Sequence, residues 1–357
     1  MSLLPDNLQR DLTSARELVL RHGWNSTAYQ ILNPGIEHWF DQGGDAVVGY
    51  TRRCGYLLAA GAPVCARGEL GRVTREFEAF ARGLRCRVCY VCAEERLRSL
   101  FADSRDHAIV AAGEQPAWDP QEWAGIVRTR KSLRNQVRRA ANKGIHVEDV
   151  EGDRAAGDPE FAEVLRAWLI SRRLPPLHFL VEPEVLGGVV EGRMVLAARQ
   201  GGRMVAYLIA SPVPARDGWF IEELARLPDA PNGTSELLID AAMRRFAEQG
   251  CAYATMGLVA LAHDCFLTNP WWLRTLMRWA RAHANRFYNF RGLEGFRAKM
   301  QPSRWEKVWF ISNEPRFSMK ALYAVGAAFS GISPIRAVAI AILKGAAEEV
   351  RKLTRRA

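Results

Sequence analysis

Residues 194–258 read MVLAARQGGRMVAYLIASPVPARDGWFIEELARLPDAPNGTSELLIDAAMRRFAEQGCAYATMGL. Met194–Arg199 and Met204–Ser211 are apolar runs on either side of Gly201-Gly202, a pair that turns one strand into the next, so they predict a β-hairpin. WFIEELARL (219–227) reads as a third strand, and PDAPNG (228–233) as the loop that ends it. From Thr234 to Gln249 the residues Leu238, Ala242 and Phe246 recur every four positions. That spacing places them on one face of a helix, which stops at Gly250. Ala252–Leu258 returns to strand. Strands, helix and strand in this order predict a mixed α/β unit.

Working outward, a helix over Pro159–Arg173 precedes this block. A helix over Trp271–Arg286 and a strand over Lys307–Ser312 close it. The same order occurs once before. A helix over Leu8–His22 leads to strands at Ala46–Thr51 and Gly55–Val64, then a helix at Gly71–Arg82. A strand at Arg87–Ala93, a short helix at Glu94–Ala102 and a strand at His107–Ala112 follow. Helix, three antiparallel strands, helix, strand, helix, strand is similar to the order of the GCN5-related N-acetyltransferase (GNAT) fold. The expected architecture is therefore two GNAT-like units in tandem, over 1–126 and 151–315, joined by a basic helix over 127–150. An apolar-then-basic tail covers 316–357. Element order carries the fold and not the activity.

The chain has 357 residues, enough for two cores, with 49 Lys and Arg against 39 Asp and Glu, a net charge of +10. Such a surplus suits a polyanionic partner. Met1–Arg10 has no basic segment followed by an apolar core, and the most apolar stretch, 321–343, is broken by Ser330, Pro334 and Arg336. The expectation is cytoplasmic residence, with peripheral contact at the inner face of the cell membrane left open. The seven cysteines are an odd number. Cys86, Cys89 and Cys92 have metal-like spacing but no fourth ligand, so they read as core residues and no metal is expected. No HExxH, GxSxG or phosphate-binding Walker loop occurs.

VRTRKSLRNQVRRAANKG (127–144) holds Arg128, Arg130, Lys131, Arg134, Arg138, Arg139 and Lys143 without an acid. Arg130, Arg134 and Arg138 are four apart and form a stripe on a helix, where like charges repel by a few tenths of a kcal/mol per pair. An anionic ligand would offset that repulsion. Farther on, YNFRGLEGFRAKMQPSRWEKVWF (288–310) threads Arg291, Arg297, Lys299, Arg304 and Lys307 between aromatic and apolar residues. In NPWWLRTLMRWARAHANRF (269–287), Trp272, Leu276 and Trp279 share one side, with Arg274, Arg278 and Arg281 on another, a pattern suited to a lipid interface.

A GNAT enzyme cradles the pyrophosphate of acetyl-CoA on the backbone N–H groups of a glycine-rich turn. Here that turn is RLPDAPNGTSELL. It keeps Gly233, lacks a second glycine, and loses two donors to Pro228 and Pro231. No CoA is expected, nor any other cofactor.

KSLRNQVRRAANKGI, LPDAPNGTSELL and YNFRGLEGFRAKMQPSRW, with RELVLRHGWNSTAYQIL near the start, resemble the synthase portion of the bacterial aminoacyl-phosphatidylglycerol synthases, the multiple peptide resistance factors. The resemblance covers Ala15–Phe310 and lacks the family's membrane-spanning flippase portion, as in a stand-alone synthase. It implies transfer of an aminoacyl group from charged tRNA to a hydroxyl of phosphatidylglycerol, with aminoacyl-tRNA as co-substrate and no protein partner. The basic stripe would then meet tRNA phosphates. Lys299, at the lysine of the family's FKxKFxP signature, would neutralise a lipid phosphate or a developing oxyanion. Glu222, where members carry an aspartate, would anchor the aminoacyl ammonium or act as base. Asn232, Gly233, Thr234 and Glu236 would form the donor loop; Arg291, Arg297, Arg304, Trp272 and Trp279 would meet the acceptor. Ala225 replaces a usual arginine, and Ser235-Glu236 a usual methionine-aspartate. Two alternatives therefore stay open: a small amine or hydroxylamine as acceptor, and a non-catalytic tRNA- or membrane-binding adaptor.

Overall fold

The computed structural model describes residues 6–171, 177–260, 262, 265–283 and 290–331. The first pass comprises α1 (Asp6–His22), β1 (Glu37–Phe40), β2 (Val47–Arg53), β3 (Tyr56–Ala60), α2 (Leu70–Gly83), β4 (Arg87–Ala93), α3 (Glu95–Leu100) and β5 (Ala108–Trp118). The connector is α4 (Trp123–Thr129) and α5 (Lys131–Asn142). There follow β6 (Ile145–Val150), α6 (Gly152–Gly157), α7 (Pro159–Ser171), β7 (Met194–Gln200), β8 (Arg203–Val213), β9 (Gly218–Arg226) and α8 (Thr234–Glu248). The chain continues through β10 (Tyr253–Thr255), β11 (Val259–Ala260), α9 (Trp271–His283), α10 (Phe290–Lys299), β12 (Arg304–Ser312) and α11 (Met319–Ser330).

The hairpin forms as expected. Gly201 and Gly202 both take positive φ, 57° and 85°, as a two-residue turn between twisted strands requires. On α2 the buried residues Leu70, Val73, Phe77 and Ala81 line one face, giving the helix a reason to lie on the sheet.

Both passes join a single twelve-stranded mixed sheet, ordered β1-β2-β3-β4-β12-β5-β10-β9-β8-β7-β6, with β11 alongside β5. β3 pairs with β4, and β9 with β10, in parallel; the other pairs are antiparallel. Two expectations need correction. The strand at 307–312 does not close the second pass but inserts between β4 and β5 of the first. Its sequence explains why: Val308, Trp309, Ile311 and Ser312 are all buried, so both faces of β12 need cover, and an interior position supplies it. The connector is also not one helix over 127–150. It breaks at Arg130, resumes as α5, and ends in β6, the edge strand beside β7.

Two cores result. The first gathers Val19, Leu57, Phe77 and Tyr90, and also Leu273 and Met277 of α9, Val308 and Ile311 of β12, and Ala324 of α11. The second holds Leu196, Leu208, Leu238 and Phe246, and draws Trp118, Trp123 and Leu133 from β5 and the connector. Each core thus borrows residues from the far side of the connector. Cys86, Cys89 and Cys92 are buried core residues, as read, and they, Cys54, Cys65 and Cys251 are free. Burial pushes the Cys92 thiol up to about 12.

Candidate active site

β9 and β10 pair only through Gly218–Phe220 and Tyr253–Thr255. β10 then stops while β9 runs on to Arg226, so their pairing ends at the centre of the sheet, and this splay is the mouth of the candidate site. α8 begins beside this mouth. Gly233 is its N-cap, at φ 99°, and a Cβ there would lie 2.1 Å from the carbonyl oxygen of Gln136. The 228–233 loop can therefore press on the α5 backbone only because residue 233 is glycine. Thr234 Oγ1 donates to the Pro231 carbonyl oxygen at 2.6 Å, closing the turn. Asn232 is exposed and does not cap the helix.

Glu236, in the first turn of α8, has its carboxylate where the helix dipole favours negative charge. Lys299 Nζ, at the end of α10, lies 2.6 Å from Glu236 Oε1 and 5.8 Å from the centre of the Phe296 ring. The Lys299 side chain is 29% exposed and that of Glu236 11%. The pair is thus half-dry but open to solutes. An ammonium has three protons and Glu236 takes one. Two donors of the partly exposed ammonium are not taken up by Glu236. Beside it, Arg297 Nη1 donates to the Gly257 carbonyl oxygen at 2.7 Å and ties α10 to the strand end after β10.

Glu222 lies elsewhere. It is the bulged residue of β9, between the registers Ile209↔Glu223 and Ala210↔Ile221. Its side chain is 1% exposed, accepts a hydrogen bond from Ser211 Oγ, and faces Arg193 Nη2 at 3.5 Å. Arg193, itself fully buried, reaches Asn33 Oδ1 at 2.6 Å and lies 5.1 Å from the centre of the Tyr29 ring. A buried ion pair costs desolvation, which these added hydrogen bonds offset. In this arrangement Glu222 fastens β9 to the first pass and does not meet Lys299. Its neighbour Glu223 accepts from Tyr207 Oη at 2.7 Å, and burial pushes its carboxyl up to about 8. Ala225 is wholly buried, opposite Tyr207.

Residues 16–312 match the family model described as phosphatidylglycerol lysyltransferase, C-terminal. The chain belongs to this family. An MprF-like domain protein of Mycobacterium tuberculosis is 25% identical over 225 residues, 60% of this chain and 46% of that protein. The chain thus matches about half the length of that curated relative. Two solved structures share the fold. The C-terminal domain of a putative lysylphosphatidylglycerol synthetase from Agrobacterium fabrum superposes with a TM-score of 0.76 at 21% identity, covering 90% of this chain and 97% of the other. L-PGS from Bacillus licheniformis gives 0.70 at 18%, covering 93% and 96%. The fold is accordingly mixed α/β and GNAT-like, as the element order predicted.

Among the family's expected site residues, Arg128, Arg130, Lys131, Arg138, Arg139 and Lys143 are exposed along α4 and α5. No carboxylate lies within ion-pair distance of these six, or of Arg134, among the described residues. Arg134 turns back to donate to the Arg128 carbonyl, capping α4. The cation-and-ring stretch 288–310 divides in two. Arg297 and Lys299 stay at the mouth, while Arg304 goes to β12, bound to Glu306 at 2.8 Å. Arg291 falls on α10, but its side chain lies outside the described residues, as does the tail beyond 331. Trp272 packs against the first core, whereas Trp279 is 58% exposed. No cluster of three or more potential metal ligands occurs among the described residues, and no described helix is long and apolar enough to cross a membrane.

Sequence reading missed Arg193 and Arg216. Arg216 Nη1 lies 3.0 Å from Glu94 Oε2, and its Nη2 is 2.6 Å from Glu306 Oε1. The guanidinium sits 3.5 Å from the centre of the Tyr253 ring and 4.9 Å from that of Trp24. Both arginines lie in connecting segments with no local pattern, and only the closed sheet shows their partners.

Proposed function

We propose that the chain transfers an aminoacyl group from charged tRNA to a hydroxyl of phosphatidylglycerol or a similar anionic lipid. The observation that carries this reading is Lys299, held by Glu236 at 2.6 Å where β9 and β10 part, with the acid-free α5 packed against the same loop. tRNA phosphates would lie along Arg128, Arg130, Lys131, Arg138, Arg139 and Lys143, giving affinity and position without sequence readout. The acceptor stem would then point toward Gly233 and the mouth.

The aminoacyl ester is already activated. The lipid hydroxyl oxygen attacks its carbonyl carbon, the bond to the ribose oxygen breaks, and the hydroxyl proton ends on that leaving oxygen. Lys299 would stabilise the negative charge that develops between these events, or the lipid phosphate beside it. Glu236 orients Lys299 and is the nearest carboxylate for passing the proton. Glu222, occupied by Ser211 and Arg193, acts here as a positioning residue for the β9 bulge. The reading needs no metal or CoA.

The test is an incubation with a pool of tRNAs carrying labelled amino acids and with phosphatidylglycerol. Label extracted with the lipid is the expected result. Label found only in the aqueous phase, on a small amine, would replace the lipid acceptor with a soluble one.

A further inference from the structure

β3 and β4 pair in parallel in the first pass as β9 and β10 do in the second, and α2 lies between its two strands in the chain as α8 does. The first pass therefore repeats the junction that forms the mouth in the second. A cavity of about 760 Å³ lies there, the size of a small-molecule site. Its wall comes from the segments that follow β3 and β4, the end of a parallel pair where ligands gather, and from Trp24 after α1. Arg67 and Arg96 line it, and neither has a carboxylate within ion-pair distance among the described residues. Arg67 is exposed. Arg96 is half-buried, with its guanidinium 5.9 Å from the centre of the Trp24 ring. Its Nε is buried and has no hydrogen-bond partner among the described residues. Burial lowers the pKa of this guanidinium, and the charge of Arg67 adds to the effect. The neighbouring carboxylates are engaged elsewhere. Glu95, also in the wall, accepts from Ser99 Oγ at 2.7 Å and lies 3.5 Å from Arg98, and Glu69 binds Arg72 at 2.6 Å. A buried donor without a partner, beside a second unpaired cation, is costly for a fold to keep. α2 adds to the positive field, since it begins in this wall and Glu69 gives it no side-chain cap.

We infer that this cavity is a second ligand site, which takes the phosphate group of a small soluble molecule. Guanidinium forks suit phosphate oxygens, and a helix N-terminus favours the same anion. A tetrahedral phosphate offers oxygens to two arginines and to the first amides of α2 at once, which the two coplanar oxygens of a carboxylate do not. The site shares no residue with the Lys299 mouth or the α5 stripe, so it does not rest on the lipid-acceptor reading.

The test is isothermal titration calorimetry of the full chain with inorganic phosphate at constant ionic strength. The wild type should bind it at a single saturable site. Arg96→Gln should weaken this by about tenfold or more, the usual effect of losing one charge-assisted contact. Arg67→Gln, at an exposed side chain where folding is not at stake, should weaken it too. Lys299→Ala, and the protein carrying Arg138→Ala with Arg139→Ala, should bind as the wild type does. Without phosphate, Arg96→Gln should melt no lower than the wild type, because it removes an unpaired charge. No phosphate binding by the wild type would overturn the proposal, as would equal binding by the wild type and both arginine variants. Binding lost in Lys299→Ala instead would assign the phosphate to the mouth and overturn it. Titrations repeated with uncharged tRNA or with phosphatidylglycerol vesicles present should be unaltered; loss of the phosphate site to either would make Arg67 and Arg96 contacts of that polyanion and overturn it as well.

Discussion

Lys299 makes one short ion pair and its side chain is 29% exposed, so its removal should affect chemistry more than folding. Lys299→Ala is expected to lower turnover by about two to three orders of magnitude, the usual cost of one donor to a developing oxyanion. Binding of charged tRNA should be unchanged in a filter assay. Turnover near the wild-type value would make the pair structural. Glu223 gives a test of another kind. Its carboxyl titrates at about 8 in the fold against 4.5 in the open chain, so between these values the native state holds a proton that the unfolded state has lost. Stability from this group is therefore complete below about 4.5 and falls as pH rises toward about 8. Melting temperatures of Glu223→Gln should decline less than those of the wild type from pH 5 to 8.5; parallel curves would place the carboxyl in its ordinary range. Lys299 and Glu236 were both legible as candidates from local motifs. Their pairing across 63 positions was not, because nothing local encodes it. Glu222 shows the converse: the resemblance gave it a role at the reacting group, and the β9 bulge turns it inward to Ser211 and Arg193.

α5 presents its cations without acids because its other side is committed to packing, with Leu133 and Ala140 buried against the second core. Arg138 and Arg139 are exposed, so replacing both with alanine should flatten the log–log salt dependence of tRNA binding by about one to two units. Arg134→Ala should leave the slope nearly unaltered, since that side chain already caps α4. A slope unchanged in the Arg138 and Arg139 variant would move the tRNA elsewhere. Regular periodicity made most elements readable, including α2, the β7–β8 hairpin and α8. β6 was hidden because the basic run before it drew the helical reading onward to 150. α10 was hidden by Gly292 and Gly295, which weaken a helix pattern. The insertion of β12 was not readable, since an apolar strand shows that it is buried but not between which neighbours.

The molecule is held as one body by its shared sheet and by Arg216, which joins Glu94 after β4, Glu306 of β12 and Tyr253 of β10. Burial pushes the Glu94 carboxyl up despite this cation, while Glu306, half-buried, is held low by Arg216. Arg216→Met leaves Glu94 dry and unpaired and should cost about 3–5 kcal/mol, read by urea unfolding. Adding Glu94→Gln should recover part of the loss; no recovery would show that the arginine acts through its ring contacts instead. Because each core borrows residues from beyond the connector, circular dichroism and tryptophan fluorescence should report a single coincident transition. The central claim is that Lys299 serves aminoacyl transfer onto an anionic lipid. It is tested most directly by mass spectrometry of phosphatidylglycerol after incubation with charged tRNA, with the wild type and Lys299→Ala in parallel. The wild type should yield a lipid heavier by one aminoacyl group, and the variant only a trace of it. An unmodified lipid in both, or equal modification in both, would contradict it.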